Sequence, residues 1–270
     1  MRRGINIRDF EKSRLGSDKS FWRGENKLSK KIALITGGVA GIGRAIAQTL
    51  VEQAYTVAVC DIDDRRGEMM AKEFSGSLSF YHCNVAKEEE IKAVVQHVYS
   101  EYGRIDALVN NAGIIRRRTS EEIKVSDWDE VFQVNVRGAF LFCKYVAPLM
   151  KQAGRGKIVN ISSIAGKMGD ITSAPGYGPS KAALDSLTKT FARELAPYGI
   201  TVNGVAPHAI ETEMSAEWSA EKRESIIKAI PLQRLGKPSE VAATVAFLLS
   251  EGADFITGEI IDVNGGFLMD

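Results

Sequence analysis

The chain has 270 residues, of which 44% are hydrophobic and 26% charged, so it is long enough to bury a large core as a single domain. Its formal net charge of +1 gives no overall field that favours nucleic acid or an anionic membrane as a partner. No apolar stretch reaches the roughly 18 residues of a spanning helix. The three cysteines, Cys60, Cys83 and Cys143, lie far apart and are expected to be buried thiols in a reducing, cytoplasmic compartment. The three histidines are equally scattered, so no metal site is expected.

Residues 1–29 differ in kind from the rest of the chain. They are rich in charge and include Arg2 and Arg3, but they lack the continuous apolar segment of a secretory signal. Acidic residues, among them Asp9 and Glu11, argue against a transit peptide. We interpret this segment as a mobile N-terminal extension, and an arm that binds a partner stays open as the alternative.

From residue 30 onward, short apolar runs alternate with segments whose apolar residues recur at helical spacing. The runs that predict buried strands are 32–35, 56–60, 78–83, 107–109, 157–161, 201–206 and 260–263. The segments that predict helices are 41–53, 65–74, 88–102, 127–152, 177–196 and 239–249. This alternation implies parallel pairing with helices on both faces. The prediction is a single α/β domain over residues 30–270, a doubly wound parallel seven-stranded sheet of Rossmann-like type with its ligand crevice at the carboxyl ends of the strands.

A glycine-rich turn joins the first predicted strand to the first predicted helix, with the spacing Thr-Gly-x-x-x-Gly-x-Gly over residues 36–43. A pyrophosphate approaches backbone N–H groups at the start of a helix, where the helix dipole favours an anion and side chains would block the approach. We expect Gly37 to form the tight turn, Gly41 to let a dinucleotide close on the backbone and Gly43 to let the helix pack on the strand. The turn therefore predicts a dinucleotide cofactor.

Asp61 ends the second predicted strand, 18 residues after Gly43. An acid there accepts hydrogen bonds from both hydroxyls of an adenine ribose, whereas a 2′-phosphate would meet a like charge at a cost of about 4 kcal/mol. NAD is therefore the expected cofactor, ahead of NADP. Arg65 and Arg66 point the other way, because a basic pair offers a phosphate a partner, although they are expected to begin the next helix as solvated residues.

Tyr177 and Lys181 stand four residues apart, on one face of a predicted helix. When a secondary alcohol and a ketone interconvert by hydride transfer with a nicotinamide, the oxygen also loses or gains a proton. A phenol with a pKa of about 10 is a poor base at neutral pH, and the ammonium of a lysine one turn away favours its phenolate. We therefore expect Tyr177 to be the proton donor or acceptor and Lys181 to support it.

Further motifs follow the glycine turn in a fixed order. They are Asn110-Asn111-Ala112-Gly113 after an apolar run, Asn135 in Asn135-Val136-Arg137-Gly138, Ser163 in Asn160-Ile161-Ser162-Ser163, the pair Tyr177 and Lys181, and Asn203-Gly204-Val205-Ala206-Pro207. Together these motifs resemble those of the short-chain dehydrogenase/reductase family, from residue 30 to the C terminus.

The resemblance implies a catalytic set of Asn135, Ser163, Tyr177 and Lys181. Ser163 would bond the substrate oxygen, with Ser162 as its rival for that position. Asn135 would hold a water in the proton relay, and a core asparagine bonded to backbone stays open for it. Lys181 would also bond the nicotinamide ribose.

The resemblance also implies cofactor contacts beyond the glycines, Asp61, Tyr177 and Lys181. They are Ile42, Ile62, Asn84, Val85, Asn111, Ala112, Gly113, Pro207, Ile210 and Thr212. Asn84 stands where the family usually has aspartate, and its amide is still able to bond an adenine. His208 stands where the family usually has glycine. A backbone that needed positive φ there would be strained, so we expect either a different loop or a histidine that faces the nicotinamide pocket.

Residues 213–230, which include Met214 and Trp218, are expected to form a mobile cover over the substrate. Arg116 begins a run of three arginines that offers a carboxylate, phosphate or sulfonate a partner, or that lies as a solvated loop. The expected substrate contacts are therefore Ser163, Arg116, His208, Met214 and Trp218.

Different segments resemble different branches of the family. Residues 210–212, 234–236 and 263–266 most resemble 3-oxoacyl-carrier-protein reductases, whereas residues 111–118 resemble NAD-dependent sugar-acid and polyol dehydrogenases. The leading hypothesis is an NAD-dependent oxidoreductase that acts on a small-molecule alcohol or ketone. A catalytically silent nucleotide sensor or scaffold with the same fold is the alternative.

The helices predicted over 127–152 and 177–196 carry more apolar residues than one buried stripe needs. The positions assigned to their outward faces are Phe140, Cys143, Tyr145, Leu184, Leu187 and Phe191. By resemblance, these helices form a four-helix contact with a twofold mate, and residues 267–269 reach another subunit, which gives a homotetramer. The alternative is that the chain's own cover and tail shield these residues.

Overall fold

A computed structural model describes residues 30–169 and 175–269, and their centre is one parallel sheet. Its strands are β1 (Ile32–Thr36), β2 (Thr56–Asp61), β3 (Leu78–His82), β4 (Ala107–Asn110), β5 (Gly156–Ile161), β6 (Ile200–Pro207) and β7 (Ile260–Val263). They lie in the order β3-β2-β1-β4-β5-β6-β7, and every pair is parallel. The direction of winding reverses between β1 and β4, which is where such a sheet leaves a crevice. The predicted doubly wound, seven-stranded fold is confirmed.

Helices cover both faces of this sheet. They are α1 (Gly41–Glu52), α2 (Asp64–Glu73), α3 (Glu88–Tyr102), α4 (Val125–Phe132), α5 (Ala139–Ala153), α6 (Ala165–Met168), α7 (Tyr177–Leu195), α8 (Glu213–Ala216), α9 (Ala220–Ala229) and α10 (Pro238–Leu249). A π-helical turn, Gln133–Gly138, joins α4 to α5. The predicted helix over 127–152 is therefore wrong as one continuous α-helix, because a wider turn interrupts it.

The two faces of the sheet carry two apolar cores. Successive strand residues point to opposite faces, so Leu34 packs with α3, α5 and α7 while Ile35 packs with α1 and α10. Both side chains are fully buried. Strands covered on both sides need apolar residues at every position, which explains why they appear in the sequence as continuous β-branched runs.

The structure corrects the assignment of outward-facing apolar residues. Cys143, Leu184 and Phe191 are 0%, 2% and 8% exposed, and they belong to the chain's own core. Tyr145 and Leu187 pack partly against that core. Phe140 is 42% exposed and is the member of the predicted set that faces solvent. Helix α5 is apolar around much of its circumference because it packs against α3, α7, β4 and β5 at once.

The predicted substrate cover, residues 213–230, contains α8 and α9 and is called the lid below. Its inner side packs on the C-terminal segment, where Ile230, Trp218 and Phe267 belong to a small apolar cluster. The predicted extension over residues 1–29 lies outside the described residues.

Candidate active site

Loops from several strands meet at one edge of the sheet and are tied together by hydrogen bonds. The Thr36 hydroxyl, at the end of β1, accepts from the backbone N–H groups of Asn111 and Ala112, each at 3.0 Å. The Asn111 side-chain amide donates back to the carbonyl oxygens of Thr36 and Gly37, at 3.1 and 2.7 Å. After β6, the carbonyl of Pro207 accepts from the Ile164 N–H at 3.2 Å. The structure thus brings the predicted motifs after β1, β4, β5 and β6 to a common crevice.

The glycine turn has no room for side chains. Gly37 has a φ of +63°, and a Cβ on it would lie 2.7 Å from the Ala112 Cα. A Cβ on Gly43 would lie 2.2 Å from the Gly37 carbonyl oxygen. Helix α1 begins after Ala40 with neither a side-chain cap nor an acidic residue in its first turn, which leaves its N–H groups facing the crevice.

Gly41 joins this turn to the far side of the crevice. Its φ is +51°, and a Cβ on it would lie 3.4 Å from the Thr212 side chain. Thr212 is the N-cap residue of α8, and its backbone N–H donates to the Ser215 hydroxyl oxygen at 3.0 Å. Ile210, by contrast, is 6% exposed and packs into the core with α10, while the Ile42 side chain packs against the same core. Their side chains are engaged in the core, and their contact with a cofactor stays a prediction.

Asp61 lies at the carboxyl end of β2, beside the glycine turn. Its Oδ1 accepts from the N–H groups of Ile62 and Asp63, at 2.7 and 3.2 Å, and its Oδ2 faces the Val39 N–H at 3.4 Å. The Ile62 side chain is exposed at the surface. The carboxylate is thus held in place by backbone groups on both sides, which fixes its negative charge at this corner of the crevice.

Asn84 follows β3 and uses its side chain within its own turn, because Oδ1 accepts from the Ala86 N–H at 2.9 Å. Val85 is buried, and the Val85 carbonyl packs against Gly138 of the π-helical turn, where a Cβ would be 3.0 Å away. These two residues link the end of β3 to the turn that carries Asn135.

Lys181 is buried, at 4% exposure, and its ammonium lies at the end of β5. Its Nζ donates to the Ile161 carbonyl oxygen at 2.8 Å and lies 5.7 Å from the centre of the Tyr177 ring. Burial lowers the pKa of Lys181 to about 8, and the charge of Asp185 opposes that shift. Tyr177 itself is half-buried at the start of α7. The lysine therefore stands where its charge acts on the phenol.

Asn135 is buried in the π-helical turn, and its side chain is committed to the chain. Its Oδ1 accepts from the Ile114 N–H at 2.8 Å, and its Nδ2 donates to the Ile114 carbonyl at 2.9 Å and to the Ser180 hydroxyl at 3.0 Å. This pattern ties the loop after β4 to α7 and matches the alternative of a backbone-bonded asparagine. A water held by Asn135 stays a prediction.

The adjacent serines after β5 differ in burial. Ser162 is 3% exposed, and its hydroxyl faces the Lys181 carbonyl oxygen at 3.4 Å. Ser163 is half-buried, and its Oγ accepts from the Ala165 N–H at 3.2 Å, which leaves its hydroxyl hydrogen for another acceptor. The geometry favours Ser163 over Ser162 as the donor to a substrate oxygen.

The predicted substrate residues lie in different environments. Arg116 forms an ion pair with Glu130 of α4, so its charge is already matched. His208 stacks on Phe267 with ring centres 4.1 Å apart, and its φ is not positive, so the expected backbone strain is absent at this position. Trp218 packs in the small apolar cluster with Ile230 and Phe267. The side chain of Met214 lies outside the described part of the structure.

One charged side chain in this region was missed from the sequence. Asp185 is 8% exposed and stands one turn beyond Lys181 on α7. The spacing of four residues that singled out Tyr177 and Lys181 continues to Asp185, so the same rule would have found it.

Across residues 30–169 and 175–269, no cluster of three His, Cys, Asp or Glu side chains is arranged to hold a metal ion. In the same ranges, no helix combines the length and apolar content needed to cross a membrane.

Comparison with known proteins agrees with this architecture. A family model described as enoyl-(acyl carrier protein) reductase matches residues 38–268. The 3-oxoacyl-[acyl-carrier-protein] reductase FabG of Thermotoga maritima is 41% identical over 249 residues, which cover 90% of this chain and all of that protein. The protein of the same name from Staphylococcus epidermidis is 42% identical over 243 residues, which cover 88% of this chain and 99% of that protein.

Solved structures give the same result. A 3-oxoacyl-[acyl-carrier protein] reductase from Brucella melitensis superposes with a TM-score of 0.84 at 36% identity, covering 90% of this chain and 93% of that one. ElxO with NADP bound superposes with a TM-score of 0.82 at 35% identity, covering 88% and 98%. The chain belongs to the short-chain dehydrogenase/reductase family, and it is an oxidoreductase that uses a nicotinamide cofactor and acts on CH–OH or keto groups.

Proposed function

We propose that this protein reduces a 3-oxoacyl thioester to the 3-hydroxyacyl thioester, with NADH as the hydride donor and Tyr177 as the proton donor. The observation that supports the reaction class is the Tyr177–Lys181 pair, with a buried ammonium 5.7 Å from the phenol ring centre. The substrate class is supported by the 3-oxoacyl reductases that this chain resembles over about nine-tenths of its length. The alternative sugar-acid or polyol substrate loses support, because Arg116 is paired with Glu130.

The residues present fit a dinucleotide. Added Cβ atoms at Gly37 and Gly43 would clash with neighbouring atoms of the chain, so the tight turn that precedes α1 needs glycine at both positions. The uncapped N-terminus of α1 supplies N–H groups for a pyrophosphate, and Asp61 stands at the end of β2 for a ribose. When bound, the nicotinamide supplies or accepts the hydride.

The remaining chemistry belongs to side chains of the protein. Ser163 donates to the carbonyl oxygen of the substrate and holds it near Tyr177. Tyr177 gives its phenolic proton to that oxygen as negative charge develops there, and Lys181 stabilises the phenolate that is left. In the oxidative direction the same groups remove the proton from the alcohol.

Asp61 is the reason for proposing NAD. Its carboxylate, at the end of β2 beside the glycine turn, would repel a 2′-phosphate, and two arginines of this region are paired with acids: Arg44 with Glu73 at 2.8 Å and Arg66 with Glu213 at 2.9 Å. Arg65 is exposed and has no ion pair within the described ranges, and ElxO was solved with NADP bound. Those two observations argue for NADP, and we weigh the fixed carboxylate above them.

The test is a screen of acyl thioesters, sugar acids and polyols with both cofactors. We expect an acetoacetyl thioester to be reduced with NADH at a higher kcat/KM than with NADPH, and Asp61→Ala to narrow or reverse that ratio. Tyr177→Phe should abolish turnover and leave NADH affinity within a few-fold, because it removes a proton but no cofactor contact. Equal efficiency with both cofactors in the wild type would contradict the NAD proposal. Turnover confined to sugar acids would contradict the substrate class.

We also propose a homotetramer in the cytoplasm, with exposed Phe140 at a contact between subunits. Phe140 borders a groove of about 510 Å³ between the π-helical turn and α7, where Phe132, Val136 and Leu187 add apolar surface. An apolar groove of this kind is typical of a protein–protein contact.

A further inference from the structure

The face of α7 that carries Tyr177 and Lys181 continues one turn further to Asp185. Side chains four residues apart lie above one another on a helix, so the three share a face. Asp185 is 8% exposed, and its Oδ1 has no hydrogen-bond partner among the described residues. A buried carboxylate is unfavourable unless neighbouring charges or hydrogen bonds compensate for lost hydration.

Asp185 lies where two catalytic elements meet. A Cβ on Gly166 would come within 3.0 Å of the Asp185 Oδ2 and within 2.8 Å of the Lys181 carbonyl carbon, so α6 packs tightly on this turn of α7. The Ser162 hydroxyl donates to the Lys181 carbonyl oxygen at 3.4 Å and lies beside the Asp185 carboxylate. Because Ser163 follows Ser162, the carboxylate borders the turn that carries Ser163.

The charges around this pair are few. Burial raises the pKa of Asp185, and the Ser162 hydroxyl and the charges of Lys181, Lys167 on α6 and Lys189 on α7 lower it. Lys167 is also bound to Asp262 of β7 at 2.9 Å. Two polar neighbours of the Lys181 Nζ, the Ile161 carbonyl and the Asn135 amide, are both neutral. Asp185 thus supplies the negative charge that opposes the effect of burial on Lys181.

We propose that Asp185 is a positioning residue for the reaction: from one turn further along the same buried face of α7, its negative charge keeps the buried Lys181 ammonium charged beside Tyr177. The inference rests on the proposed proton transfer by Tyr177. Asp185 acts on the reaction through Lys181.

The first experiment follows the titration of Lys181 directly. Protein labelled with ¹³C at the lysine Cε is titrated by NMR without cofactor or substrate, and the Lys181 signal is assigned by its loss in Lys181→Met. Asp185→Asn keeps the shape of the side chain but removes its charge. We expect its Lys181 to titrate about one pH unit lower than in the wild type.

Two controls separate charge from structure. Asp185→Glu keeps the charge and should restore the wild-type midpoint. Glu194→Gln removes a carboxylate from the same helix at an exposed position paired with Lys151, and it should leave the midpoint unchanged. If Asp185→Asn does not fold, Asp185→Ser, whose side chain is smaller and also uncharged, repeats the test. An unshifted Lys181 midpoint in the uncharged variants would overturn the proposal.

The second experiment asks whether the charge serves the reaction. Ketone reduction needs a proton on the Tyr177–Lys181 pair, which titrates as a unit. We expect the alkaline limb of kcat to move to lower pH in Asp185→Asn by about the same shift as Lys181. A structural role alone would lower kcat equally at every pH, and that result would overturn the claim. Lack of turnover with any thioester would count against the proposed function instead and would leave the NMR titration readable.

Discussion

Ser162 and Ser163 are chemically identical neighbours, and the packing of one turn gives them different environments. The inner hydroxyl faces the carbonyl of Lys181, whereas the outer one is half-buried and keeps its hydrogen available. A hydroxyl that is already engaged by the protein cannot follow the charge that develops on a substrate oxygen. Burial therefore separates a structural serine from one that is able to act on the substrate.

This difference predicts unequal effects of two matched substitutions. Ser163→Ala should lower kcat by about 100-fold or more, because it removes a donor to the developing oxyanion. Ser162→Ala should lower kcat less and should mainly lower the melting temperature, because its hydroxyl interacts with α7. Steady-state kinetics and thermal melts of the two variants measure both effects. A larger loss of kcat in Ser162→Ala would reverse the assignment.

The buried ammonium of Lys181 has a consequence for stability. Burial lowers its pKa from 10.5 to about 8, so between these values the unfolded chain holds a proton that the folded chain has lost. Stability therefore rises with pH through that window, and below it the buried charge costs about 3 kcal/mol. That cost is the net effect of burial and of the opposing charge of Asp185.

We therefore expect Lys181→Met to melt at a higher temperature than the wild type at pH 7, although it loses turnover and cofactor affinity. Its advantage should shrink as the pH rises from 8 to 10, because the wild-type lysine becomes neutral there. Thermal unfolding across this pH range measures the difference. An advantage that is independent of pH would show that the charge of Lys181 is not the source of the cost.

At the scale of elements, the glycine turn is where the local sequence constrains the structure most. A Cβ on Gly43 would meet the backbone of Gly37 and Gly38 and the side chain of Asn111, and backbone atoms cannot move aside cheaply. Gly43→Ala should therefore prevent NADH binding and lower the melting temperature. Gly252→Ala is the control, because its Cβ would find its nearest neighbour at 3.4 Å. NADH fluorescence measures cofactor binding, and thermal melts measure stability. Unchanged NADH binding in Gly43→Ala would contradict the proposed binding of the cofactor at the glycine turn.

The strands and most helices could be predicted because their signals are local. Strands covered on both faces are continuous apolar runs, and amphipathic helices repeat every 3.6 residues. The π-helical turn over 133–138 escaped prediction, because no glycine or proline interrupts the pattern before Gly138 and one widened turn barely changes the period. Its neighbours in space, Ile114 and Ser180, bond the Asn135 side chain within this turn, and those contacts lie far away in sequence.

The candidate site divides in the same way. The pair Tyr177 and Lys181 and the glycine turn could be found from spacing within one segment. The contact of Asp185 with Ser162 depends on how α7 packs against the loop after β5, which no local pattern encodes. The pairing of Arg116 with Glu130 likewise depends on the path of a loop, so three arginines in sequence were a weak guide to a substrate anion.

For the whole molecule, the question is which apolar surface the chain leaves for a partner. Helical periodicity assigned Cys143, Leu184 and Phe191 to an outer face, but the chain's own helices cover them. Phe140 stays 42% exposed, stacks on Phe191 with ring centres 6.3 Å apart and borders the apolar groove near α7. The surface available for a twofold contact is therefore narrower than the sequence suggested and is centred on one side chain.

If that contact builds the assembly, one charge at its centre should dissociate it. Light scattering of the wild type at micromolar concentration should give close to four times 29.5 kDa, and Phe140→Arg should give a smaller species. Met69→Arg places the same charge at a side chain that is 61% exposed on α2, away from the groove, and it should leave the mass unchanged. Because Leu187 of α7, the helix that carries Tyr177 and Lys181, lines the groove, the smaller species should also lose part of its activity. A monodisperse, fully active wild-type monomer would overturn the proposed assembly, because α7 would then keep its active geometry without a subunit contact at Phe140.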